Sequence, residues 1–416
     1  MNIAKRQFEL LKKIGFVRTS ASEEELRAVN ILKEELDNLG VESEIEPFKV
    51  LNYNIKKAKL EILEPEYREI EVTGVGLTGN AAKDGLEAEL LYVENALPIN
   101  LLEAKGKIVL VNSINYERYR DIVRSGAVGY INFSGRFMDD NNSTDLENRR
   151  IREKHIEFGK IPGVTMRVSD AIELMKSGAK KVRMTLEQEE GEADSHNLIA
   201  ELKGTQFPEE VVVIMAHYDS VPFSTGVYDN GAGSVNIMEI LRYYKENPPK
   251  RTIRFIWFGS EEIGLCGSKA YVKAHENELE NVKMGINVDV GGAILGCDQA
   301  TVLAEESLCH MVDFYAKQVC FPLKVDKDIY SSDCIPFADK GIPVINFMRF
   351  GAPGAASIHN RYDLIDVLSP EVLYNTMVFV RDFSEKLINA GAMPVERKIP
   401  EDLVKKIDEY LQKNLK

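Results

Sequence analysis

The sequence VVVIMAHYD occupies residues 211–219, and its first six residues form one of the longest apolar runs of the chain. Such a run has the length and composition of a β-strand that is covered on both faces. The segments 198–202, 253–258 and 284–288 are similar apolar runs, and segments of helical composition alternate with them. The sequence therefore predicts an α/β fold with a central mixed, mostly parallel β-sheet sandwiched by helices.

Histidine and acidic side chains stand at or just after the predicted strands. They are His217 and Asp219, Asp229, Glu261 and Glu262, Asp289, and the later His359. Because ligands bind at the carboxyl ends of strands in open α/β sheets, we expect these side chains to converge on one crevice. Two imidazoles and three carboxylates suit a borderline metal such as zinc. Five ligands are too many for one tetrahedral ion and suit two ions that share a carboxylate.

Two further side chains have predicted roles beside the ligands. Asp219 lies two residues after His217, so at a strand end it can hold the second ring nitrogen of that histidine. Glu261 adjoins a ligand but is not needed for coordination, which is the situation of a general base. Each motif also has an ordinary structural explanation; the Asp-Asn-Gly sequence at 229–231, for example, is typical of a turn. Their occurrence together, in order and at strand ends, favours a two-metal site.

The motifs resemble those of the cocatalytic zinc peptidases, the family that includes bacterial leucyl aminopeptidases, glutamate carboxypeptidase, glutaminyl cyclase and the transferrin receptor. The matching segments are 217–221, 229–233, 258–268, 332–337 and 341–343. The resemblance covers about residues 20–390 and implies the zinc-peptidase, phosphorylase-like form of the α/β fold. It also implies peptide substrates and two divalent metal ions per chain, expected to be zinc.

The resemblance assigns a role to each candidate residue. One ion is held by His217 and Asp289, the other by Glu262 and His359, and Asp229 bridges the two. Glu261 is the base that takes a proton from the attacking water and returns it to the leaving amine. Several relatives have a tyrosine just before the last histidine, where it hydrogen-bonds the oxyanion. This chain has Ile358 there, and Tyr362 and Tyr228 are the alternatives for that role.

The segment 73–190 resembles the protease-associated domain that is often inserted in this family, notably at 106–111 and 126–129. The predicted domains are a discontinuous zinc peptidase domain at 1–72 and 191–395, the inserted α/β domain at 73–190, and a C-terminal amphipathic helix at 396–416. The inserted domain contains no predicted ligand. We therefore expect it to shape access to the site and to take no part in the chemistry.

Two local motifs also bear on the fold. Ser22 and Glu25 form a predicted capping box at the start of a helix over about 23–39, and Gly40 stands where a C-terminal cap belongs. The sequence GVGLTG at 74–79 matches a dinucleotide-binding loop, but no apolar helix pattern follows it. The sequence therefore predicts no nucleotide-binding site.

The leading functional hypothesis is a zinc-dependent aminopeptidase, a hydrolase that removes N-terminal residues from peptides. A carboxypeptidase or dipeptidase of the same family is the first alternative. It needs Arg or Lys to bind the substrate carboxylate, and only Arg349 and Arg361 lie near the last ligand in sequence. The second alternative is a binding protein that keeps the fold without catalysis, which retention of the five ligands and of Glu261 disfavours. The oligomeric state is left open, with a homo-oligomer among the alternatives.

Composition and charge exclude other classes of function. The 416 residues carry 52 Lys and Arg against 66 Asp and Glu, a formal net charge of −14. This balance disfavours nucleic-acid and anionic-membrane partners, and no apolar run approaches the roughly 20 residues of a membrane span. Five cysteines without a Cys-x-x-Cys motif, and an N-terminal segment without the apolar core of a signal peptide, predict a cytoplasmic protein.

Overall fold

The structure is a computed structural model, and it describes residues 2–139, 146 and 149–413. The chain divides into a larger unit of Met1–Val50 with Asp194–Lys416 and a smaller unit of Leu51–Ala193. The chain passes from one unit to the other inside two long strands, Ser43–Glu64 and Lys181–Leu202. The smaller unit therefore begins at Leu51, before the boundary at 73 that the sequence suggests, because a continuous strand carries no turn residues to mark the crossing.

The strands are β1 (Ser43–Glu64), β2 (Arg68–Ile70), β3 (Thr73–Gly74), β4 (Leu86–Tyr92), β5 (Ile108–Leu110), β6 (Gly129–Ser134), β7 (Gly163–Arg167), β8 (Lys181–Leu202), β9 (Phe207–His217), β10 (Arg251–Phe258), β11 (Val282–Val288), β12 (Gly296–Leu303), β13 (Leu323–Asp326) and β14 (Val344–Gly351). The α-helices are α1 (Ile3–Ile14), α2 (Glu23–Leu39), α3 (Tyr116–Arg124), α4 (Glu153–Ile156), α5 (Val168–Lys176), α6 (Ala232–Glu246), α7 (Cys266–Ala274), α8 (Glu306–Gln318), α9 (Cys334–Asp339), α10 (Pro370–Ile388) and α11 (Glu401–Tyr410). Among the described residues, no helix combines the length and the apolar character that crossing a membrane requires.

The sheet of the larger unit has the strand order β13-β12-β14-β11-β9-β10-β8. β9 is parallel to β10 and β11, β11 is parallel to β14, and β12 is parallel to β13. The pairs β12–β14 and β10–β8 are antiparallel. The predicted mixed, mostly parallel sheet is confirmed. His217 at the end of β9 is in register with Phe258 at the end of β10, so the loops that follow these strands leave the sheet side by side.

Strand β9 is buried on both faces because its alternate side chains pack into two different cores. Ile214 and Ala216 belong to the core that α1, α2, α6 and α10 share. Val213 and Met215 belong to the core on the other face, with α7, α9 and α11. Leu403 of α11 is fully buried there, so the C-terminal helix is part of the larger unit. Residues 414–416 of the helix predicted at 396–416 lie outside the described residues.

The smaller unit has its own sheet, in which β4, β5, β6 and β7 are successive parallel neighbours. β8 and β3 pair antiparallel with the two outer strands β4 and β7. The helices of this unit are α3, α4 and α5. The described segment between β3 and β4 contains no helix, as expected for the sequence GVGLTG at 74–79. That this unit is a protease-associated domain stays a prediction.

Helix α2 begins and ends at the predicted residues. The Glu25 amide donates a hydrogen bond of 3.0 Å to Ser22 Oγ, and Gly40 ends the helix with a left-handed φ of 62°. The second bond of the predicted capping box is missing, because the Ser22 amide donates to the Thr19 carbonyl oxygen. The Glu25 carboxylate is therefore directed to partners other than its own helix cap.

Candidate metal centre

The predicted ligands converge at one edge of the sheet in the larger unit. His217 is the last residue of β9, and Asp289 follows directly after β11. Asp229 lies in the turn before α6, Glu262 lies between β10 and α7, and His359 follows β14. Because β9, β10, β11 and β14 are parallel, all of these segments leave the sheet at the carboxyl ends of the strands. This is the edge at which open α/β sheets bind ligands.

The first ligand group consists of His217, Asp229 and Asp289. His217 Nε2 lies 3.2 Å from Asp229 Oδ1 and 3.5 Å from Asp289 Oδ1. All three residues are buried. The second ligand group consists of Asp229, Glu262 and His359. His359 Nε2 lies 3.1 Å from Asp229 Oδ2 and 3.0 Å from Glu262 Oε2.

Asp229 is common to both groups, and each of its two carboxylate oxygens faces a different histidine. The ligand atoms of each group all lie within 4.8 Å of one another. In the described part of the chain, the buried atoms Asp289 Oδ1 and Glu262 Oε1 have no hydrogen-bond partner. A buried polar atom left unpaired costs free energy, and a divalent cation in each ligand group would satisfy the oxygen that belongs to that group. The donor atoms are of the kinds that zinc binds, so the residues fit one divalent ion in each group.

The carboxylates of both groups make the histidines strong sites for a cation. Burial by itself lowers the pKa of His359, but hydrogen bonds with Asp229 and Glu262 outweigh burial and raise that pKa to about 11. Burial also opposes the charged form of His217, yet the surrounding carboxylates hold its pKa well above the usual value. Protons and metal ions compete for the same nitrogen atoms, so this electrostatic field favours either cation.

Asp219 is buried beside the first ligand group and contacts three parts of the site. Its Oδ1 lies 3.4 Å from His217 Nδ1, on the ring edge opposite Asp229. Its carboxylate also accepts hydrogen bonds of 3.0 Å from the Glu261 amide and 3.2 Å from the Glu262 amide. The contact with His217 is the one that the sequence predicts. The contacts with the two amides connect the end of β9 to residues 259–265 between β10 and α7, which we call the glutamate loop.

Glu261 lies next to the second ligand group but is a member of neither group. It is buried, and burial raises its pKa well above the usual range. The charges of Asp333, Glu262 and Asp289 raise the pKa further, while His217 opposes them. A carboxylate with a raised pKa holds a proton that it has accepted, as a base that later acts as an acid must do.

Sequence reasoning assigned no role to Asp363, although it lies just after His359. Its carboxylate is buried and accepts hydrogen bonds of 2.8 Å from the Tyr228 amide and 3.1 Å from the Asp229 amide. These bonds connect the backbone at Asp229, the ligand that both groups share, to the loop that contains His359. An acidic residue close after His359 in the sequence was the available signal, but sequence spacing does not show which amides it reaches.

Arg18 is a second residue that sequence reasoning did not single out. It is fully buried, and its guanidinium donates to the carbonyl oxygens of Tyr218, Phe16 and Gly226, the last two at 3.1 Å and 2.8 Å. The Arg18 amide donates to Ser220 Oγ at 3.0 Å. Burial lowers the pKa of Arg18 to about 10, which leaves it charged at neutral pH. Arg18 therefore fastens the loop that connects His217 to the shared ligand.

Asn230 connects the Asp229 turn to β11. Its side-chain amide donates to the Val288 carbonyl oxygen at 2.8 Å, and its Oδ1 accepts from the amides of Gly233 and Val290 at 2.8 Å and 3.1 Å. A Cβ atom at Gly233 would lie 2.2 Å from the Val288 carbonyl oxygen, so this close approach requires glycine. The turn and the strand that carry two ligands of the first group are thereby fixed together.

One of the two tyrosines proposed for the oxyanion is already engaged. The Tyr228 hydroxyl donates to the Arg349 carbonyl oxygen at 2.7 Å and accepts from the Gly351 amide at 2.8 Å. Its single proton is therefore used to hold β14. The side chain of Tyr362 is 46% exposed, and it is the candidate of the two that could turn to a substrate.

Comparisons with known proteins agree with this geometry. Residues 197–384 match the model of peptidase family M28, and this range contains all five predicted ligands. Aminopeptidase YwaD of Bacillus subtilis (strain 168) is 30% identical over 289 residues, 65% of this chain and 60% of that protein. Carboxypeptidase Q of Homo sapiens is 26% identical over 368 residues, 83% of this chain and 74% of that protein.

A solved structure shows a similar fold. The structure of BSAP, a zinc aminopeptidase from Bacillus subtilis, has a TM-score of 0.79 and 24% identity, and the match covers 96% of this chain and 98% of that one. This likeness shows that the two chains share a fold. The resemblance drawn from the sequence is confirmed, because residues 197–384 of the chain match the model of peptidase family M28.

Proposed function

We propose that this chain is a metal-dependent aminopeptidase that removes N-terminal residues from peptides. The observation that carries the proposal is the shared carboxylate of Asp229, whose two oxygens face two separate ligand groups. His217 and Asp289 would hold one divalent ion, Glu262 and His359 the other, and Asp229 both. Two ions, with zinc as the metal, suit these imidazole and carboxylate donors. Bound there, such ions lower the pKa of a water molecule and polarise the carbonyl group of the scissile bond.

Glu261 is the proposed catalytic residue. Its carboxylate takes the proton of the attacking water and then gives it to the nitrogen of the leaving amine. Burial and the neighbouring acidic groups raise its pKa, which supports this order because a weak acid keeps the proton between the two transfers. Asp219 supports the step by holding the amides of Glu261 and Glu262.

The position of Arg349 favours an aminopeptidase over a carboxypeptidase. A carboxypeptidase needs a cationic side chain for the C-terminal carboxylate of its substrate. The Arg349 guanidinium contacts the Asp298 carboxylate and donates to the Ala293 carbonyl oxygen at 2.7 Å. Asp298 thus already neutralises the charge of Arg349, and two of its N–H groups are engaged within the chain. Carboxypeptidase Q is nevertheless among the relatives, so a carboxypeptidase is the second candidate.

The cellular setting is proposed from the thiols. Cys297, Cys309, Cys320 and Cys334 are outside disulfide bonds, and Cys309 and Cys334 are buried. Cysteines outside disulfide bonds suit the reducing conditions of the cytoplasm. The oligomeric state is a separate question, and the mass of the purified protein in solution measures it.

Two chromogenic substrates distinguish the candidates. An aminoacyl p-nitroanilide has a free α-amino group, whereas an N-blocked dipeptide has only a free carboxylate. We expect the first to be hydrolysed, with activity lost on removal of metal by a chelator and restored by zinc. Hydrolysis of the N-blocked dipeptide alone would identify a carboxypeptidase. Zinc binding without hydrolysis of either substrate would identify a binding protein.

A further inference from the structure

Glu25, in the first turn of α2, connects this helix to the glutamate loop, residues 259–265 between β10 and α7. The residue is fully buried. Its Oε1 accepts hydrogen bonds of 3.0 Å from the Ser260 amide and 2.9 Å from Ser195 Oγ, and its Oε2 accepts one of 2.8 Å from the Ala21 amide. Ser260 immediately precedes Glu261, so this carboxylate lies one residue from the proposed base.

Ser260 has an unusual backbone conformation that needs support. Its φ of 55° is in the left-handed region, which residues other than glycine seldom adopt. Its hydroxyl donates to Ser195 Oγ at 2.7 Å, and its amide is held by Glu25. A strained residue of this kind persists where its surroundings fix it. Its hydrogen bonds to Glu25 and Ser195 are such surroundings.

Three successive amides of this loop point to carboxylates of the same chain. The Ser260 amide donates to Glu25, and the amides of Glu261 and Glu262 donate to Asp219. Consecutive amides around a left-handed residue form a concave site for negatively charged groups. Here the carboxylates of Glu25 and Asp219, which are far apart in the sequence, fill that site, and together they define the direction in which the loop leaves β10.

The role of a simple helix cap does not account for Glu25. In a capping box its carboxylate would accept from the Ser22 amide, but that amide donates to Thr19. Burial and the charge of Asp219 raise the pKa of Glu25 to about 8. The carboxyl oxygens of Glu25 accept hydrogen bonds from the amides of Ala21 and Ser260 and from the Ser195 hydroxyl. Its function in the loop is that of a hydrogen-bond acceptor.

We propose that Glu25 is a positioning residue for catalysis: by holding the Ser260 amide, it sets the orientation of the Glu261 carboxylate beside the ligand groups. This inference rests on the proposed aminopeptidase function. Ligand binding by Glu262 depends on it less, because Asp219 holds the amides of both glutamates independently. Loss of Glu25 should therefore affect the rate of the reaction more than metal binding.

The test compares Glu25→Ala with two other variants in the full chain. A misplacement of about 1 Å can cost on the order of 10²-fold in rate, so we expect kcat of Glu25→Ala to fall by about 10- to 100-fold. KM and the number of bound zinc ions should stay as in the wild type. Glu25→Gln retains an oxygen for the Ser260 amide, so its kcat should lie closer to the wild-type value. Val29→Ala, a core substitution on the same helix, should lower the melting temperature without lowering kcat.

Amide hydrogen exchange of the metal-free chain gives a readout that does not depend on activity. We expect faster exchange at Ser260 in Glu25→Ala than in Val29→Ala at equal global stability. Unchanged exchange, or unchanged kcat in Glu25→Ala, would overturn the inference. If Glu25→Ala does not fold, Ser195→Ala removes the hydroxyl that links Glu25 to Ser260, and an unchanged kcat there would overturn it too. A wild-type chain that hydrolyses no aminoacyl substrate would instead overturn the proposed function.

Discussion

The two ligand groups contain the same kinds of donor atom but have different surroundings. The side chain of His217 is 2% exposed, whereas that of His359 is 53% exposed. His217 ends a central strand of the sheet and has Asp219 behind it, while His359 lies in a loop with a left-handed φ of 60°. Ligand chemistry alone therefore does not determine how firmly a site is held. We expect the ion of the first group to bind more tightly than the ion of the second.

The difference follows from how many neighbours fix each group. Arg18 fastens the loop after His217, and Asn230 ties the Asp229 turn to β11. The first group is thereby built into the sheet and the helix that follows it. The second group shares Asp229 but takes its histidine from an exposed loop. Asp363, which holds the Asp229 amide, is the contact that joins this loop to the first group.

We expect the largest effect from replacing Asp229, because this residue belongs to both ligand groups. Asp229→Ala removes one ligand from each ion, so we expect loss of both zinc ions and of all measurable hydrolysis. Elemental analysis of the dialysed protein at saturating zinc measures this directly. Asp313→Ala replaces an exposed aspartate on α8 and serves as the matched control, with both ions kept. An Asp229→Ala protein that keeps two ions would contradict the shared-ligand arrangement.

Glu261→Gln tests the one acidic residue that is adjacent to the ligand groups without belonging to either. The substitution keeps size and hydrogen bonding but removes the basic carboxylate. Positioned acid–base groups contribute on the order of 10²–10⁴-fold, and one that serves both transfers should be at the upper end. We expect the loss in kcat, with both ions bound and KM little changed. Glu262→Gln is the contrasting variant, because it should lose an ion; the opposite pattern would mean that the two glutamates have exchanged roles.

Replacing each histidine in turn tests the difference between the groups. His359→Ala should lose the second ion and keep the first, with little change in the stability of the metal-free chain, because its side chain is half exposed. His217→Ala should also destabilise the metal-free chain, since it removes the cationic neighbour that the buried carboxylates of Asp219 and Asp289 share. Zinc titration and thermal unfolding measure both effects. Equal destabilisation by the two substitutions would show that the surroundings of the two histidines contribute equally to the stability of the chain.

A smaller effect is expected from the residue that fastens the first group. Arg18→Met leaves buried carbonyl oxygens of Tyr218 and Gly226 without their donor, and such unpaired groups cost about 1–3 kcal/mol. We expect a lower free energy of unfolding and weaker zinc binding by the first group. Urea unfolding with and without zinc measures both. Arg27→Met, an exposed arginine on α2, is the control and should change little; equal effects of the two substitutions would show that Arg18 has no special role.

The convergence of the candidate ligands could be predicted from the sequence because each belongs to a short local motif, and His217, Glu262 and Asp289 stand at or after predicted strands. His217 follows six apolar residues, and Asp289 follows another such run. The parallel strands then bring these residues together, because their carboxyl ends lie at the same edge of the sheet. The ligand positions thus depend on information that is local in the chain, and the observed strands agree with those predicted.

The supporting residues could not be predicted in the same way. Arg18, Glu25 and Asp363 reach the site across long sequence separations, and their partners are mostly backbone groups that any residue type could supply. Glu25 was read as one half of a capping box, and its carboxylate instead reaches Ser260. The boundary at Leu51 was missed because β1 continues through it without a turn. Contacts of this kind follow from the completed fold and leave no local pattern.

Crystallographic anomalous scattering from zinc-loaded protein tests the central claim most directly, because it locates each ion and its ligands. We expect two zinc peaks per chain, one beside His217 and Asp289 and one beside Glu262 and His359, with the Asp229 carboxylate between them. At limiting zinc, the peak of the first group should be the stronger. A single peak at saturating zinc, or two peaks that do not share Asp229, would contradict the two-ion site.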